Sequence, residues 1–65
     1  MITYNKLFAL LAMRGLKKTD LLEVISSPSL ARLSKNETVN IKIVDAICQH
    51  LDVQPGDIMQ YEDAR

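Results

Sequence analysis

The chain is poor in the residues that build disulfide scaffolds, barrels and membrane spans. Cys48 is the only cysteine, so no internal disulfide is possible and no zinc cluster can form from thiolates. A reducing, cytoplasmic setting is the natural reading. Tryptophan is absent, the aromatics are Tyr4, Phe8 and Tyr61, and glycine and proline occur twice each. With aliphatic residues plentiful, that scarcity favours helices over a sandwich or barrel. No apolar run approaches the roughly 20 residues that span a bilayer. The opening "MITYNKLFALLAMRGLKK" has an apolar run, but its basic residues flank or follow it and no small-residue cleavage site is present. It is therefore read as part of the fold and not as a signal peptide. At 65 residues the chain is one domain at most, residues 1–65, with room for a small helical core and not for an enzyme cleft with deep walls.

Net charge is also lacking: the formal balance is zero. Its distribution is uneven. Residues 1–42 hold seven basic residues against three acidic ones, a balance of +4, and residues 43–65 hold Arg65 against five acidic residues, a balance of −4. A basic part that meets an anion and an acidic part that stays away from it would look like this.

Helical periodicity dominates what is present. Leu7, Leu10, Leu11 and Arg14 follow a candidate cap at Asn5, and Gly15 is placed to end the helix in a left-handed turn; the first helix is expected over Lys6–Arg14. A second should run from near Lys18 to about Val24, burying Leu21 and Leu22, although Lys17 stands where Ser or Thr would cap better. Ser27 as cap and Pro28 at the first helical position open a third helix that ends near Lys35. Asn40 caps a fourth, in which Ile41, Val44, Ile47, Cys48 and Leu51 form the clearest amphipathic stripe. Gln54-Pro55-Gly56-Asp57 starts a further helical turn or a tight loop. The tail alternates from Ile58 to Asp63 and is compatible with a short strand beside Ile2–Tyr4. No internal repeat is visible. The expected core is Leu7, Leu10, Leu11, Leu21, Leu30, Leu33, Val44, Ile47, Cys48 and Leu51. Met59 and Tyr61 serve either dimerisation or packing on Tyr4, with packing favoured for Tyr61.

Catalytic and metal chemistry find little support. Cys48 and His50 lie two apart on one helix and so point in different directions, which suits a structural cysteine and a surface histidine. Asp52, Asp57, Glu62 and Asp63 lack the spacing of a calcium loop. No Gly-rich phosphate loop or paired-acid site occurs, so no enzyme, cofactor, metal or small-molecule ligand is expected.

Two short helices joined by a tight turn, the second bearing small polar and basic side chains outward, form a helix-turn-helix. Such a unit places the N-terminal part of its second helix in a DNA major groove. On the third helix Ser29 is small and polar, and Arg32 could reach a guanine edge or a phosphate. Lys17, Lys18 and Lys35 would be phosphate contacts, which hold register without reading sequence.

The order and spacing of "KKTDLLE", "SLARLSKNE" and "VDAICQHLDVQPGDIM" resemble the Cro and lambda-repressor type helix-turn-helix regulators, the XRE family, and most nearly its compact bacterial branch found on mobile elements. The resemblance covers almost the whole chain. It implies an all-α, lambda-repressor-like bundle of about five short helices with the third as recognition helix, a homodimer, and regulation of transcription, read here as repression, by binding double-stranded operator DNA. It also implies that Lys18 and Thr19 match backbone-contacting positions, that Ser27, Pro28, Ser29 and Arg32 match the face of the recognition helix, and that Lys35 and Asn36 match its end and the phosphate-contacting loop. The passage "EVISSPS" departs from the family's pattern: it is about two residues shorter than the usual turn and has no glycine. Either the second helix ends early or the third sits at a changed angle. An alternative is a protein-interaction module of the same fold, antitoxin-like or anti-repressor, with little specific DNA binding.

Overall fold

A computed structural model describes residues 1–63. In chain order it contains strand β1 (Ile2–Thr3), helix α1 (Asn5–Met13), a 3₁₀ helix (Lys18–Glu23), helix α2 (Ser27–Ser34), helix α3 (Ile41–Leu51), a second 3₁₀ helix (Pro55–Asp57) and strand β2 (Gln60–Tyr61). The helical bundle and the strand pair both match the expectation.

The three α-helices stop in the same way. Each ends where one residue takes a positive φ: Gly15 (69°), Asn36 (56°) and Asp52 (57°). The next N–H then folds back on a carbonyl of the last turn: Leu16 on Leu11 (2.8 Å), Glu37 on Arg32 (2.8 Å) and Val53 on Cys48 (3.1 Å). This ending satisfies carbonyls a helix otherwise leaves open, and Gly, Asn and Asp are the residues that reach the left-handed region most readily. The 3₁₀ helices also share a beginning. Asp20 accepts from the Lys17 N–H (2.7 Å) and Asp57 from the Gln54 N–H (3.0 Å). The run from α1 into the first 3₁₀ helix is thus rebuilt from α3 into the second, down to the buried residue that follows each aspartate, Leu21 and Ile58. The sequence shows no repeat because the recurrence lies in backbone geometry, which Gly15 and Asp52 meet with different side chains.

Arg14 joins the two units. Its Nη1 donates to the carbonyl of Leu51 (2.6 Å), placing a cation on the negative end of α3. The strands close the termini: β1 and β2 pair antiparallel with Ile2 opposite Tyr61 and Thr3 opposite Gln60. The Glu62 N–H and the Met1 carbonyl extend the ladder (2.7 Å).

Tyr4, Leu7, Leu11, Leu21, Ile25, Leu33, Val44, Ile47, Leu51 and Ile58 form the core. Each fully buried aliphatic side chain contributes about 1.5–3 kcal/mol. Leu10, Leu30 and Cys48, expected inside, are half-buried at its margin. Leu22, expected inside the second helix, is exposed because the tighter 3₁₀ winding turns only Leu21 inward. Ile41 is a larger departure: it heads the apolar stripe of α3 yet is 68% exposed. Tyr61 does not pack on Tyr4, since it faces Ile2 across the strand pair and is 72% exposed.

One further bond spans the fold. Asn36 Oδ1 accepts from the Tyr4 N–H (2.9 Å), tying the end of α2 to the start of α1. Replacement of Asn36 by Ala should remove this bond and lose the asparagine side chain's tolerance of positive φ, for a combined loss of about 1–2 kcal/mol. Asn36→Gly removes the bond but not the freedom, so it should lose less. Urea denaturation of both variants checks this, and equal losses would refute the strain component.

Candidate nucleic-acid interface

The segment from Lys17 to Asn36 carries every residue expected to touch DNA. Its first helix is a 3₁₀ helix that ends at Glu23, so of the two outcomes left open by the short turn, the early ending is the observed one. Val24 and Ile25 both donate to the carbonyl of Leu21 (3.0 Å each), and Ile25 is buried beneath the turn. No residue from Val24 to Ser26 has a positive φ. The turn therefore has no position that requires glycine, which accounts for its absence.

The cap of α2 is displaced by one residue from its expected place. Ser26, not Ser27, occupies the cap position: its Oγ accepts from the Ser29 N–H (3.4 Å), and the Leu30 N–H bonds its carbonyl (3.0 Å). Ser27 and Pro28 are then the first two helical residues, and Pro28 still occupies a position whose N–H would have no intrahelical acceptor. Ser26 and Ser29 also share a hydrogen bond between hydroxyls (3.0 Å). Ser29 is half-buried and turned to the cap, so its hydroxyl is already engaged.

The outward face consequently differs from the Ser29, Arg32, Lys35 row. Ser27, Pro28, Ala31, Arg32 and Lys35 are exposed, while Leu33 is buried and Leu30 half-buried behind them. Ala31 was not among the expected residues. Its signal was the spacing from Pro28, three residues, and to Lys35, four, which puts all three on one face. Among the described residues, Lys17, Arg32 and Lys35 make no ion pair. Lys18 stacks its Nζ over the Phe8 ring, 4.5 Å from the centroid, which steadies it against α1 while it stays exposed. Thr19 is exposed beside it. Asn36 has its carbonyl oxygen committed to Tyr4, which leaves its NH2 as the free end.

The remaining charges serve the frame. Lys6 donates to the Gly56 carbonyl (3.1 Å), as Arg14 does to Leu51, so two of the basic residues are turned toward the acidic half. His50 approaches Glu23 at 4.0 Å, a contact between exposed groups that adds little. Cys48 is half-buried on α3. Burial first, then the carboxylates of Asp45 and Asp57, push its thiol above the usual range, which favours the protonated form. Among the described residues no cluster of His, Cys, Asp and Glu could hold a metal ion, and no helix is long and apolar enough to cross a membrane.

Residues 6–64 match the family model of the Cro/C1-type helix-turn-helix DNA-binding domain. The chain belongs to that family. It is a DNA-binding class and not an enzyme class. Among solved structures, the crystal structure of the transcriptional regulator VanUg is similar, with 41% identity and a TM-score of 0.86 over 91% of this chain and 81% of that one. No match was found among curated protein sequences. The Cro/C1-type domain is thus assembled here with a 3₁₀ helix as the first half of its helix-turn-helix.

The displaced cap makes a sharp distinction. Ser26→Ala should destabilise the protein by about 1 kcal/mol, and Ser27→Ala by less than about 0.5 kcal/mol. Thermal or urea melts of the pair decide it; a larger loss at Ser27 would return the cap to the expected residue.

Proposed function

We propose that this Cro/C1-type domain is a sequence-specific transcriptional regulator that represses by occupying an operator as a homodimer in the cytoplasm, with residues 1–65 acting as a single unit. The observation that carries this is α2 itself. It is fixed at both ends, by Ser26 and Asn36, and presents small and basic side chains to solvent with no protein partner among the described residues. A helix held this firmly loses little entropy on entering a groove.

Arg32 is proposed to read a guanine through its O6 and N7. Pro28 and Ala31 offer apolar surface to a thymine methyl and let the backbone approach closely. Ser27, at the entry to the helix, meets either a base edge or a phosphate, and Ser29 supports it through the cap. Lys17, Lys18, Thr19, Lys35 and the NH2 of Asn36 contact phosphates and set the register. The segregation of charge supports the same arrangement, since the acidic residues beyond position 43 lie outside the helix-turn-helix.

The zero net charge favours a second reading, an interaction module of the same fold with weak, sequence-blind DNA binding. Selection from a random double-stranded DNA library at near-physiological salt separates the two. An enriched inverted repeat, with half-sites about one helical turn apart, is expected of the dimeric repressor. Absence of enrichment would favour the interaction module. On the enriched site, Arg32→Ala should cost about 1–3 kcal/mol and relax preference at one base pair. Lys17→Ala should weaken all sequences alike and reduce the salt slope by about 1. A base-selective loss at Lys17 would contradict its phosphate role.

A further inference from the structure

Half of the large exposed apolar residues gather on one face. Of the eight such residues among those described, Met1, Ile2 and Ile41 line one surface hollow, and Tyr61 is paired with Ile2. A second hollow lies along α3 toward Pro55. Ile41 and Val44 line both hollows, so the exposed Ile41 forms a ridge with a depression on either side. No outward residue of α2 lines either one.

We propose that this face is where a second copy of the chain docks, with Ile41 of each copy entering a hollow of the other. This gives the homodimer of the operator reading its surface, and it rests on that reading for its purpose. Three features favour a second copy over a different partner. A ridge beside a hollow is self-complementary, which is what a two-fold contact requires. The rim carries both signs: Lys42 is next to the ridge, Glu37 borders one hollow and Asp45 the other. A two-fold axis can set unlike charges against each other across such a rim, whereas a strongly basic or acidic partner would meet a charge of its own sign. Finally, the strand pair that adjoins the patch has only two strands among the described residues, and its Ile2 and Tyr61 side chains are exposed there. The patch adjoins Asn36, where α2 ends, and leaves the helix's outward face free.

Ile41→Asp tests the interface. The substitution stands in the first turn of α3, where an acid suits the helix dipole, and Ile41 contributes little to the core, so the fold should be retained. Sedimentation of the full chain should show a dimer for the wild type and self-association weakened about tenfold or more for Ile41→Asp, with helical circular dichroism and melting unchanged. Tyr61→Asp should weaken it too. Met13→Asp, at an apolar residue outside the patch, should not. Ile41→Asp should bind an isolated half-site like the wild type and lose the extra affinity for the paired site. Undiminished dimerisation of Ile41→Asp overturns the proposal, as does a wild type that is monomeric both in solution and on its operator. If the wild type dimerises, Ile41→Asp does not, and neither binds the selected DNA, the interface stands and the operator reading fails.

Discussion

The left-handed turn at Asn36 is the constraint on which the helix-turn-helix depends. One residue ends α2, folds the Glu37 N–H back on Arg32 and passes its side-chain oxygen to the Tyr4 N–H. Tyr4 begins α1 and is buried. Helix α2 is therefore anchored at its far end to the junction of β1 and α1, and capped at its near end by Ser26. An eight-residue helix on its own would be marginal in water. Here both termini are capped, and Leu33 at zero exposure supplies the packing that holds it against the rest. Rigidity in α2 comes from its ends more than from its length.

The same device is used three times, with a different residue each time, and this explains what could be read from the chain and what could not. Gly15 was legible as a helix end because glycine advertises a positive φ. The turn at Asn36 was legible as the end of its helix but its positive φ was not, and Asp52 was not singled out, because asparagine and aspartate occupy caps, turns and exposed helix positions alike. Asn40, with its side chain on the Lys42 N–H, was legible because an apolar stripe began immediately after it. Ser26 was missed because two serines precede Pro28, and the choice between them depends on where the turn delivers the chain. The core shows the same division. Leu7, Leu11, Leu33, Val44, Ile47 and Leu51 lie on periodic faces and were found, whereas Tyr4 and Ile58 lie at junctions where no period operates. On the outward face of α2, the exposed basic residues Arg32 and Lys35 could be named from the sequence but the centre of the face could not. That centre moved from Ser29 to Ala31 once the hydroxyl of Ser29 was drawn into the cap.

Charge segregation along the chain becomes a division of labour in space. Arg14 and Lys6, though counted in the basic half, face carbonyls of the C-terminal unit and hold the two units together. Asp20 and Asp57 accept backbone N–H groups at the starts of the 3₁₀ helices, so these carboxylates are structural. Apart from Lys42 on α3, what remains for an external anion among the described residues is the set on and beside α2. A formal charge of zero is thus compatible with a locally basic surface, because six of the eight acidic residues either cap a 3₁₀ helix, as Asp20 does, or lie beyond position 43, outside the helix-turn-helix. Net charge is a poor guide for a domain this small; the identity of the uncommitted charges decides which anion it can meet.

The placement of Ile41 follows from the same economy of length. A helix of eleven residues that packs Val44, Ile47 and Leu51 inward has its first turn beyond the edge of the core, where the chain arrives from the loop after Asn36. An isoleucine there adds nothing to the interior, and a polar residue would satisfy the helix start better. Its presence beside Met1, Ile2 and Tyr61 is what the proposed contact with a second copy would use. A fold too small to bury a large core by itself can gain apolar contact by sharing this edge, and sharing it with an identical chain, as proposed, would leave the outward face of α2 uncovered in both copies.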